Sequence, residues 1–223
     1  VPLAAASLAN SIFFMILMFG IGISMAVTPM VAAADGEGKK GKIGRFLNHG
    51  FVINSVASVV LFLLILAISP GLKLINQPQE VVVLAIPYLL IITFSLIPFM
   101  FFQTYKQFIE GLSQTKQAMF ITVLFNLLNI GLNYLLIYGN WGFPELGLNG
   151  AGWATLISRI LMAWVLYLYV TRSRRYEKYI RSIKLKQIRY SVIKKMLGIG
   201  IPTGLQFVFE VGAFSSAAIM MGW

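Results

Sequence analysis

Among the residues within long apolar stretches whose types hydrocarbon rejects are Asn129, Asn133, Thr155, Arg159, Gln206 and Glu210. Glu210 stands in the middle of "GIGIPTGLQFVFEVGAFSSAAIMMGW", residues 198–223. A charge at the centre of a membrane helix costs roughly 2.5–3.5 kcal/mol even on a lenient insertion scale, so such a group faces protein or a watery cavity. Low-dielectric surroundings favour neutralising a lone carboxylate, by a proton or a bound cation. Gln206 one turn earlier and Phe214 one turn later share its helical face. A structural ion pair is the alternative role, but no Lys or Arg lies nearby on the same segment. Pro202 with Gly198, Gly200 and Gly204 predicts a bent or flexible start to that helix.

Arg159 sits near the centre of "GWATLISRILMAWVLYLYV" with Thr155 one turn before it. Two readings stay open: a pair with an acid on another helix, or snorkelling toward an interface. Asn126, Asn129 and Asn133, at i, i+3 and i+7, form one polar stripe. Amides facing lipid forfeit their hydrogen bonds, so the stripe faces other helices or a cavity. Interhelical hydrogen bonding and coordination of an ion or substrate both fit it.

Much chemistry is excluded by composition. The chain has no Cys and one His, which removes disulfides, thiolate metal sites and thiol nucleophiles. An intramembrane transferase needs paired acids around a metal, or a buried base system, and the spans display neither. We therefore expect no enzyme, no metal beyond a possible Na+ at Glu210, and no organic cofactor. His49 reads as an interfacial residue at a helix entrance, and Glu110 as a capping or pairing residue beside a turn. Met15, Met18 and Met25 fall near one face, suited to packing or to lining an adaptable cavity.

The elements that position these residues are membrane spans. Of 223 residues 58% are hydrophobic and 11% charged, against roughly 25% charged in an average soluble domain. Mean hydropathy is +0.82. A span needs about 20 apolar residues, and six segments qualify: 3–33, 46–69, 81–109, 118–138, 149–171 and 198–223. Pro29, Pro87 and Pro98 predict kinks within them.

The formal charge of +11 invites a nucleic-acid reading, but the positions of the charges give another. Lys39, Lys40, Lys42, Arg45, Lys106, Lys116 and the ten Lys and Arg residues from 172 to 195 fall on one side of the alternating spans. Lys73 alone falls on the other. The positive-inside rule places loops 35–45, 110–117 and 171–195 in the cytoplasm. The first span then runs inward, which predicts an odd number of spans before it. Starting at Val1 and ending within an apolar run, the sequence reads as a piece of a longer protein.

Three stretches resemble one family in its own order. Residues 107–159, "QFIEGLSQTKQAMFITVLFNLLNIGLNYLLIYGNWGFPELGLNGAGWATLISR", are similar to the fourth-to-sixth helix region of multidrug and toxic compound extrusion (MATE) transporters. "MVAAADGEGKKGKIGRFLNHG" resembles the family's junction of helices two and three, and "GIPTGLQFVFEVGAF" its seventh helix. The resemblance implies an all-α polytopic membrane helix bundle, the amino-terminal lobe of a two-lobe, twelve-helix antiporter, of which six helices are present. Residues 1–172 would form lobe helices without the first, 173–195 a cytoplasmic linker, and 196–223 the opening helix of the carboxy-terminal lobe.

By the same resemblance the protein exchanges organic cations or other amphiphiles for Na+ or H+, in the plasma (inner) membrane, as a monomer when full length. Its partners are the lipid bilayer and small molecules, with no nucleic acid. Glu210 coincides with the family's cation-binding glutamate. Asn129, Asn133 and Thr155 match a cation site of one branch, which has aspartate where this chain has Asn133; the departure favours the branch that relies on the seventh-helix glutamate. A lipid-linked saccharide flippase of the same superfamily is the alternative, and a membrane scaffold a third reading.

Overall fold

Two prolines decide where the first and third spans break. The computed structural model describes residues 1–74, 78–180 and 188–221, the side chains of 73, 74 and 214–221 excepted. Helices α1 (Pro2–Met25) and α2 (Val27–Gly36) meet at Ala26, three residues before Pro29. After α3 (Lys40–Ile68) and a short 3-10 turn, α4 (Gln79–Phe94) and α5 (Leu96–Gly111) meet at Ser95, three residues before Pro98. Each proline removes an amide donor and crowds the carbonyl four residues back, which is Met25 in one case and Phe94 in the other. The backbone tightens there: Ala26 N–H donates to Ile23 O at 3.4 Å and Ser95 N–H to Ile92 O at 3.0 Å.

The chain continues through α6 (Thr115–Tyr138), α7 (Gly147–Arg172), α8 (Arg174–Ile180) and α9 (Tyr190–Met221). Six segments are long and apolar enough to cross a membrane: Pro2–Gly36, Lys40–Leu72, Gln79–Gly111, Thr115–Tyr138, Gly147–Arg172 and Tyr190–Ala213. All six expected spans are present. Pro87 lies inside α4 without interrupting it. Pro202 is likewise inside α9, which starts at Tyr190 rather than at the expected Pro and Gly bend. At 1.5 Å per residue this 32-residue helix is about 48 Å long, longer than the roughly 30 Å hydrocarbon core, so its basic first turns overhang the bilayer.

Helices in lipid gain little from the hydrophobic effect and associate by close packing, which favours small residues at their contacts. The contact of α9 with α1 is of this kind. A Cβ on Gly22 would collide with the backbone of Gly204, and one on Gly200 would lie 2.8 Å from the Ile23 carbonyl oxygen. The α6–α7 hairpin closes at Gly139, whose left-handed φ of 67° ends α6, and Leu146 N–H returns to Leu136 O at 3.0 Å.

Buried side chains form two cores. One joins Phe13, Leu17, Ile65, Leu89 and Met100; the other joins Val31, Leu47, Phe108, Leu166 and Tyr176 toward the opposite end. The basic connector is part of the second. Tyr176 and Tyr179 of α8 meet Phe108 edge-on, with centroids 5.9 and 6.2 Å away. His49 is 1% exposed, packed among protein neighbours. Its Nε2 accepts the Arg189 backbone N–H at 2.9 Å, so its Nδ1 carries the proton and donates to Arg45 O at 2.7 Å. Of the expected linker, 181–187 lie outside the described residues, as do 75–77 in the loop 69–80 and 222–223 at the end of the last span.

Candidate functional site

The helices leave a cavity of about 530 Å³ among α1, α4, α5, α6 and α7. Its aromatic walls include Phe13, Phe99, Phe102 and Phe125, and its polar lining includes Asn10, Tyr88, Gln103, Lys106, Ser158 and Arg159. Asn126, Asn129, Thr122 and Thr155 complete the polar side. The volume lies within the roughly 300–1,000 Å³ typical of small-molecule sites.

Arg159 is held by the break that Pro98 makes. The Ser95 hydroxyl donates to Ile92 O at 2.6 Å, as a residue at a helix break can. Its lone pairs are then free to accept Arg159 Nη1–H at 2.8 Å. The guanidinium carbon lies 5.2 Å from the Phe13 ring centroid and 4.7 Å from that of Phe99, within cation–π range. Of the two open readings of Arg159, snorkelling toward an interface does not describe this arrangement. Among the described residues no carboxylate pairs with it, and its head is turned to the cavity rather than to an interface.

Asn129 and Thr155 line the same cavity. Asn129 Oδ1 accepts Asn133 Nδ2–H at 3.1 Å, and Thr155 Oγ1 donates to Ala151 O at 2.9 Å. Asn133 adjoins the cavity through Asn129 without lining it, and its buried Oδ1 has no hydrogen-bond partner in the structure. The polar stripe of α6 therefore does face the bundle interior at Asn129. Met15, Met18 and Met25 are not part of the lining. Glu110 pairs with Lys106 at 3.5 Å, the local role expected of it.

Glu210 and Gln206 are apart from this cavity. Both are exposed on α9, on the side turned from α1, while Gly200 and Gly204 take the packed side. Phe214, expected on the same face, has its side chain outside the described residues. Of seven carboxylates, Asp35, Glu80 and Glu110 fall next to the ends of their spans, and Glu37, Glu145 and Glu177 outside them. Glu210 alone stands many residues inside a described helix.

Asn10, Tyr88, Gln103, Lys106 and Ser158 escaped the sequence reading. Asn10 and Tyr88 form a pair, Tyr88 Oη–H donating to Asn10 Oδ1 at 3.1 Å across α1 and α4. Asn10 and Gln103 carried a usable signal, since each is an amide within an apolar run. Ser158 did not, because a serine in a span commonly bonds its own backbone. Among the described residues no group of three or more His, Asp or Glu lies together in a way that could hold a metal ion.

A family model, MatE, matches residues 1–135. The chain is 31% identical over 224 residues to multidrug resistance protein MdtK of Pectobacterium atrosepticum, covering 98% of the chain and 48% of that protein. It is 31% identical over 223 residues to multidrug resistance protein NorM of Photobacterium profundum, again covering 98% of the chain and 48% of the relative. The chain spans about half the length of the curated relatives it matches. Its fold is similar to a solved inward-facing multidrug resistance MATE family transporter of the MOP superfamily, with a TM-score of 0.84 at 22% identity. That likeness covers 95% of this chain and 47% of the other.

Proposed function

The chain belongs to the MATE family, and from that premise we propose that it is part of a secondary active efflux transporter that exchanges organic cations or other amphiphiles for Na+ or H+. Glu210 is the coupling carboxylate in this reading. The observation that carries it is positional: among the carboxylates of the chain only Glu210 lies deep within an apolar helix, on a face that no described helix covers. A carboxylate so placed attracts a proton or sodium ion. Occupation by the ion and occupation by a cationic substrate then compete at one charge, and no covalent step is needed.

One elementary charge moving through 100 mV supplies about 2.3 kcal/mol, enough for more than a tenfold substrate gradient. In the full-length protein, Glu210→Gln is expected to reduce ion-driven dye efflux to the rate seen without an ion gradient, at matched expression. Efflux at the original rate would reject the assignment. Asn129, Asn133 and Thr155 belong to the amino-terminal bundle and enter this scheme only as polar groups beside its cavity. Gln206 would help orient the ion one turn from Glu210.

The flippase alternative gains one observation, since Lys106 joins Arg159 along the cavity. Lys106 is already matched by Glu110, however. A pyrophosphate would meet one unmatched cation among the described residues, too few for its charge.

A further inference from the structure

We propose that the basic connector between α7 and α9 is a docking surface for anionic phospholipid headgroups, with Arg172, Arg174 and Arg175 as the residues that hold them. The sequence supplies the charge: residues 172–195 contain ten Lys and Arg and one carboxylate, Glu177. A basic run directly after a membrane helix attracts anionic lipid through the negative potential of that surface. The fold adds a fixed depth and a fixed face, which a solvated charge run lacks.

Depth comes from the tyrosines of α8. Arg172 is the last residue of the span Gly147–Arg172, so α8 begins where the hydrocarbon ends. Tyr176 and Tyr179 then turn back onto Phe108, three residues before the end of the span Gln79–Gly111. Three helical residues cover about 4.5 Å, and the headgroup layer on each side of the hydrocarbon is roughly 5–7 Å thick. The short helix is therefore held at headgroup level instead of trailing into the cytoplasm. The far end of the connector is fastened too, by the bond from Arg189 N–H to His49 Nε2 at 2.9 Å.

The two sides of α8 differ. Tyr176 and Tyr179 are buried, while Arg174, Arg175 and Lys178 are exposed on the opposite side. Arg172 is exposed at the end of α7, and Arg189, Lys194 and Lys195 are exposed around the start of α9. An arginine fork gives a phosphodiester two parallel N–H bonds, and its long stem lets the head follow the lipid phosphate. Phosphatidylglycerol offers that phosphodiester beside an uncharged glycerol. Phosphatidylcholine sets a trimethylammonium next to its phosphate, which opposes the arginines.

Lipid binding at equilibrium needs no ion gradient, so this inference stands apart from the transport reading. The test uses the full-length protein without other cysteines, carrying Ser173→Cys labelled with bimane, in phosphatidylcholine bilayers. A fraction of the lipid is either phosphatidylglycerol or phosphatidylcholine with a spin label at the fifth acyl carbon, and each quenches the label where it gathers. Phosphatidylglycerol is expected to be preferred at least about fivefold, the scale of one basic residue at an anionic surface. Replacing Arg172, Arg174 and Arg175 together by Gln should bring that preference below about twofold, whereas Lys at the same positions should keep most of it. Replacing Lys40, Lys42 and Lys116 by Gln removes the same charge from other loops of that side and should leave it unchanged. Equal quenching by the two lipids overturns the proposal, and is the pattern if another part of the polypeptide lies over α8. A preference that survives the arginine substitutions, or falls as far in the lysine variant, overturns it as well, since a diffuse positive field and not this face would then gather the lipid.

Discussion

At the scale of single residues, several polar groups in this bundle are matched by neighbours the chain supplies from far away. Asn54 Nδ2 donates to Thr104 Oγ1 at 2.7 Å across α3 and α5, and Thr28 reaches Gln107. His49 is the sharpest instance, because it links α3 to the residue just before α9. Replacing it by Leu leaves the Arg189 amide without its acceptor, a loss of about 1 kcal/mol for a part-buried bond. Hydrogen exchange of that amide should then accelerate by roughly fivefold, the same energy expressed as an opening equilibrium. Unchanged exchange would mean that the bond adds nothing to the docking of the connector. Glu210 and Arg159 were both visible in sequence as charges in apolar runs. What Arg159 contacts was not, because Ser95 is 64 positions away and serine carries no mark of such a role.

Among elements, the α1–α9 contact depends on backbone proximity rather than on large side chains. Gly204 faces the Phe19 backbone oxygen as well as Gly22, so any side chain there must push the helices apart. Gly204→Val is expected to destabilise the full-length protein by about 1–3 kcal/mol, the usual cost of overpacking, seen as a lower thermal midpoint in detergent. An unchanged midpoint would show that α9 can shift along α1 at no cost. Element limits were legible where apolar runs ended in Gly, Pro, Asn or Ser, as at Gly139. They were misread at the start of α9: Lys194 and Lys195 resemble connector composition, yet a helix longer than the bilayer is thick carries such charges on its overhang. Pro202 misled for a related reason, since a proline within a membrane helix does not always end it.

For the molecule as a whole, the charge asymmetry and the alternation of spans make a prediction that composition alone supports. Thr115→Cys should be shielded from a membrane-impermeant maleimide in intact cells and react only after permeabilisation, whereas Glu145→Cys should react in both. The opposite pattern would invert the topology and set aside the cytoplasmic placement of the basic connector. Fold class and span number could be read from the sequence because hydrocarbon imposes a length and a polarity on every crossing segment. The cavity could not, since it arises from residues of five helices whose mutual rotation no local pattern encodes. Asn129, Thr155 and Arg159 proved to be neighbours, while Gln206 and Glu210 occupy the bare side of α9.

The proline break at Ser95 also constrains how this lineage can change. Pro98 opens the turn, the turn presents the Ser95 hydroxyl, and that hydroxyl holds Arg159. If Pro98 were replaced first, Ser95 would be drawn back into a regular helix and Arg159 would be stranded as an unsupported charge among phenylalanines. If Arg159 were replaced first, the proline would cost little to keep. Descent from this sequence therefore has a permitted order, arginine before proline, and relatives that have lost Pro98 should already lack the arginine.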